Sequence, residues 1–68
     1  MTAYDATFTN RKTGQSVTKR VYSRQVAAAS RAARRSADGI VTWDYTNGRV
    51  MTVSYLDRTA VYREVQRP

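Results

Sequence analysis

Nothing in this chain can staple a fold together. Its 68 residues include neither cysteine nor histidine. Disulfides are therefore excluded, and so are the usual zinc and haem sites. A domain of this length buries only about 60% of the surface that its unfolded chain exposes. The chain is thus expected to form one small domain, spanning 1–68 with 66–68 as a frayed tail, in which every element shares one apolar core.

The hydrophobic pattern gives the elements. Tyr4-Asp5-Ala6-Thr7-Phe8-Thr9 alternates apolar and polar residues, the period of a half-buried strand. Residues 10–14 read as a turn, with Gly14 free to take positive φ. A second strand over 15–22, rich in Val, Thr and Tyr, completes a hairpin. Ser23 reads as an N-cap, and 24–37 is an Ala- and Arg-rich run without Gly or Pro that predicts a helix. Asp38-Gly39 ends it, with Gly39 expected in the left-handed conformation.

A meander follows, with strands over 40–45, 49–55 and 59–65. A two-residue loop at Asn47-Gly48 would oppose Trp43 to Thr52 and mix apolar with polar residues. A three-residue loop with Gly48 as the bulge opposes Trp43 to Met51 and Val41 to Val53, and sorts the faces cleanly. The expected fold is α+β, in the order β-β-α-β-β-β, an antiparallel sheet with one helix packed on one face. Its predicted core is Tyr4, Phe8, Val17, Val21, Val26, Ala29, Ala33, Val41, Trp43, Met51, Val53 and Val61. The uncovered face is expected to show Ile40, Thr42, Val50, Thr52 and Tyr62.

Charge is the strongest functional signal. Twelve Lys and Arg stand against five Asp and Glu, for a net charge of +7. Such a chain seeks polyanions. Ten of the cations are arginine, which forks onto phosphate or carboxylate as lysine cannot. At about 100° per residue, Val26, Ala29, Ala33 and Ala37 fall on one side of the helix, and Arg24, Ala28, Arg31 and Arg35 on the other. Arg34 lies beside this ridge, and no acid interrupts it. An ordinary solvated helix face mixes signs. The strand directions also bring Arg11, Lys12, Arg34, Arg35 and Arg58 to one end of the domain.

Catalysis is not expected. His and Cys, the commonest base and the strongest nucleophile, are both missing. Asp5, Asp38, Asp44, Asp57 and Glu64 form no paired motif, no glycine-rich loop is present, and no cofactor is implied. Base stacking on exposed aromatics is a further option, with Tyr62 and Tyr22 as the outward rings.

No family motif can be laid on these residues. In size, basic charge and lack of catalytic groups, the chain resembles the small inhibitors that phages and mobile elements direct at host nucleic-acid enzymes, CRISPR effectors and RNA polymerase among them. That likeness is one of type and rests on no motif.

Two functional expectations follow. The first is a nucleic-acid-binding protein that grips DNA or RNA phosphates with Arg24, Arg31, Arg34 and Arg35, supported by Arg11, Lys12 and Arg58. The alternative is an inhibitor of an acidic surface on a nucleic-acid-processing protein, using the same arginines and a docking patch of Ile40, Val50 and Tyr62. Exposed strand edges would also allow a homodimer. No apolar run approaches the roughly 20 residues that cross a bilayer. Residues 1–5 lack the features of a signal peptide, and a secreted chain this short would usually carry disulfides. A cytoplasmic location without a membrane partner is expected.

Overall fold

A computed structural model describes residues 2–65; the tail expected over 66–68 lies outside them. The elements are β1 (Ala3–Asn10), β2 (Ser16–Tyr22), α1 (Ser23–Arg35), β3 (Ile40–Asp44), β4 (Val50–Ser54) and β5 (Arg58–Glu64). The strands form one antiparallel sheet in the order β2-β1-β5-β4-β3. The last strand therefore inserts between the first hairpin and the second. The order β-β-α-β-β-β is the one the sequence pattern predicts. Among the described residues no helix is long and apolar enough to cross a membrane.

Both hairpins follow from their turns. Asn10 Oδ1 accepts the Lys12 and Thr13 amides at 2.9 and 3.2 Å, an Asx-type turn that Gly14 completes at φ 77°. In the second hairpin Trp43 opposes Met51, Val41 opposes Val53 and Thr42 opposes Thr52. Gly48 sits at φ 84°. This is the register expected from the face-sorting argument.

The helix differs at both ends from its sequence reading. Tyr22, not Ser23, is the cap residue; Gln25 Oε1 reaches back to accept its amide at 2.7 Å. The helix stops at Arg35, so Ala37 is exposed and not part of the core. Gly39 is not left-handed. It is required for space, because a Cβ there would collide with the Ala33 carbonyl.

The helix lays Val26, Ser30 and Ala33 on the sheet, with Ala29 partly covered. Under it are Tyr4 and Ala6 of β1, Val21 of β2, Met51 and Val53 of β4, and Ala60 and Tyr62 of β5. Small helix residues leave volume, and aromatic rings fill it: Phe8 meets Tyr62 edge-on at 5.9 Å.

Two expected core residues are misplaced. β5 carries apolar residues on both faces, and pairing of Ala60 with Val53 and Tyr62 with Met51 puts those two inside. Val61 therefore turns to the uncovered face. Val17 does point to the helix side, but the helix starts at the far end of β2 and leaves it 59% exposed.

The registers map the uncovered face. Ser16, Thr9, Thr59, Ser54 and Ile40 form one row across the five strands, and Thr18, Thr7, Val61, Thr52 and Thr42 the next. A third row holds Arg20, Asp5, Arg63, Val50 and Asp44. Its two cations and two anions balance. This face is hydroxyl-rich and close to neutral. Thr7 pairs with Thr18 at 3.0 Å and Thr9 with Ser16 at 2.9 Å through their hydroxyls.

Candidate functional site

Since Val26, Ala33 and Ser30 face the sheet, the outward line of α1 is fixed. Arg24, Arg31 and Arg35 fall within about 40° of one another on it, over a rise of about 16 Å. All three are exposed. Arg24 lies in the first turn, where the positive end of the helix dipole opposes it by about 0.3–1 kcal/mol. The first turn holds no acid, and Arg34 and Arg35 stand favourably in the last.

The acids explain why the ridge stays positive. Asp5 accepts from Arg20 Nε at 2.9 Å, and Asp57 from Arg58 at 3.0 Å. Asp44 Oδ1 accepts the Thr46 amide at 2.8 Å, which holds its carboxyl below the ordinary aspartate range. Glu64 Oε1 accepts the Arg49 amide at 3.3 Å. Asp38 takes the Ser36 hydroxyl at 2.6 Å and the Leu56 amide at 3.1 Å. The Ser36 bond first and the Leu56 bond second lower its pKa. All five carboxylates are thus engaged locally, none of them with α1. Among the described residues only Arg20 and Arg58 form ion pairs.

The cluster expected at one end of the domain is only partly assembled. The Arg11 amide does bond the Asp57 carbonyl at 3.0 Å, and Asp38 ties the helix exit to the β4–β5 turn. However, the Arg11 guanidinium donates to the Tyr55 carbonyl at 2.8 Å and braces the loop. Arg58 is held by Asp57 and lies 4.0 Å over the Tyr55 ring. Arg34 turns away from this end and lines a cleft beside Arg31. Of the five, Lys12 and Arg35 are exposed and make none of these ties.

The docking patch is overturned. Tyr62 is 6% exposed beneath the helix, and burial raises its phenol pKa. Ile40 and Val50 lie on the opposite face and at opposite ends of it. The acidic protein partner that was to use this patch is corrected with it, and nothing among the described residues supports the homodimer expected from exposed strand edges. Tyr62 also fails as a stacking surface.

Tyr22, the other ring expected to point outward, is exposed, and the most exposed ring is one the sequence reading passed over. Tyr45 is 66% exposed and lies parallel to the Trp43 indole, with centroids 5.7 Å apart and planes 7° apart. Its spacing of two from Trp43 and the Asp44–Thr46 turn signal were both visible in the chain. Next to this stack, a cleft of about 320 Å³ is lined by Tyr4, Ser23, Ser30, Arg31, Arg34 and Trp43. Arg31 therefore belongs to the ridge and to the cleft. A second, larger cleft of about 480 Å³ lies at the far corner, floored by Phe8, Val53, Ala60 and Tyr62.

The chain matches no protein-family model, no curated protein and no solved structure.

Proposed function

We propose that this is a non-enzymatic nucleic-acid-binding protein whose helix grips phosphates through Arg24, Arg31 and Arg35, with Arg34 alongside. The observation that carries this reading is the separation of charge: each Asp and Glu side chain has a local partner off the helix, and among the described residues the ridge has none. A guanidinium without a counter-charge is ready for a bidentate phosphate contact. The position of Arg24 supports the reading as well, since it works against the helix dipole and so is not explained by helix stability. The opposite face, neutral and hydroxyl-rich, gives the domain a polarity that orients a polyanion towards the helix.

The carboxylates also argue against chemistry. They stand apart in structural hydrogen bonds, with no nucleophile–base pair among them.

The test is affinity for single-stranded and duplex oligonucleotides between 50 and 200 mM salt. Phosphate contacts by three or four arginines give a steep linear fall of log affinity with log salt, because bound counterions are released. Affinity that stays flat across that range rejects the reading.

A further inference from the structure

The diagonal helix leaves two corners of its sheet face open, and they differ in character. In the corner floored by Phe8 and Tyr62, Arg58 is held by Asp57 and Lys19 lies over the Phe8 ring at 5.6 Å. In the other, two arginines without ion pairs among the described residues border an aromatic stack. Tyr45 has one face against Trp43 and leaves the other to water. Strand pairing with Met51 holds Trp43, and the Asp44–Thr46 turn holds the loop. The platform is therefore preorganised, and nothing in the core requires Tyr45 to be aromatic.

We infer that the Tyr45–Trp43 stack and the Arg31–Arg34 cleft form a base-stacking site for single-stranded nucleic acid. An unpaired base lies on the open face of Tyr45, Trp43 backs it, and Arg31 and Arg34 hold the flanking phosphates. A duplex does not supply this ligand, because its bases are stacked on their neighbours. Stacking is tolerant of base identity, since every base has a π-face. Arg31 links this site to the ridge, so the inference rests on the proposed function and names its ligand as single-stranded.

The test compares a twelve-residue oligothymidylate, an oligouridylate of the same length and an abasic deoxyribose-phosphate oligomer of the same length. Binding is read by fluorescence anisotropy and by the emission of Trp43, the single tryptophan. The expected result is that both base-bearing strands bind at least about tenfold tighter than the abasic one and quench Trp43. Tyr45→Ala removes that advantage, and Tyr45→Phe keeps it. Tyr45 is exposed, so neither change threatens the fold. Equal affinity for base-bearing and abasic strands, or an unchanged advantage in Tyr45→Ala, overturns the stacking site while leaving the phosphate ridge standing. Absence of binding to all three overturns the stacking site, and absence of binding to a duplex as well overturns both.

Discussion

Asp38 reaches from the end of the helix to the β4–β5 turn, where its Oδ2 accepts the Leu56 amide at 3.1 Å. Its other oxygen takes the Ser36 hydroxyl. The acid nearest in sequence to the arginines of the last helical turn thus serves as a clasp between two loops, and among the described residues no ion pair compensates those arginines.

The clasp is pH-dependent with a definite sign. Hydrogen bonds from Ser36 and Leu56 hold the Asp38 pKa below its ordinary 3.8. Its contribution is then fully present above that ordinary value and is lost as pH falls through the lower, folded one. Asp38→Asn is expected to be less stable than the parent at neutral pH and to show a smaller loss on acidification below pH 4. Urea midpoints measured at pH 7 and at pH 3 check this.

Gly39 and Gly14 should respond differently to the same change. At Gly14 only the positive φ resists a side chain, so Gly14→Ala should cost about 1 kcal/mol. At Gly39 a Cβ meets the Ala33 backbone carbonyl, which has no rotamer to move. Gly39→Ala is expected to cost about 1–3 kcal/mol, as overpacking does. Denaturant titration of the two variants side by side measures the difference.

Tyr62 fills the space that an alanine-faced helix leaves. Its truncation to alanine should cost about 3–5 kcal/mol, enough to unfold most molecules of a domain this small. Tyr62→Phe keeps the edge-on contact with Phe8 and should remain folded. Far-UV circular dichroism under native conditions distinguishes these outcomes.

Element order and the Trp43–Met51 register were legible in the chain because turn chemistry and face sorting agreed there. The order of strands in the sheet was not legible: β5 inserts beside β1 through long-range pairing that no local pattern encodes. β5 also misled the reading of its faces. Ala60, Val61 and Tyr62 are all apolar, so alternation cannot choose a side, and only pairing with Val53 and Met51 decides. The arginine ridge was visible from helical periodicity alone. Arg11 and Arg58 read as free cations, whereas tertiary bonds to Tyr55 and Asp57 tie them down.

Arg24 separates binding from stability. In Arg24→Glu an acid replaces a cation in the first helical turn, so an unfavourable interaction is removed and a favourable one added, and the helix should gain about 0.6–2 kcal/mol. Nucleic-acid affinity should fall in the same variant. A thermal melt and a binding isotherm on one preparation test both signs.

The most direct measurement compares two variants of equal charge loss. Arg31→Gln/Arg35→Gln removes two cations from the ridge, and Arg20→Gln/Arg63→Gln removes two from the balanced face. Each is titrated with a single-stranded oligonucleotide across 50–200 mM salt. The ridge variant is expected to lose affinity and to flatten the salt slope by about 1.4, the release expected for two single-strand phosphates, while the other keeps the parent's slope. Equal losses in the two variants, or none in the ridge variant, would contradict a phosphate-binding ridge on the helix.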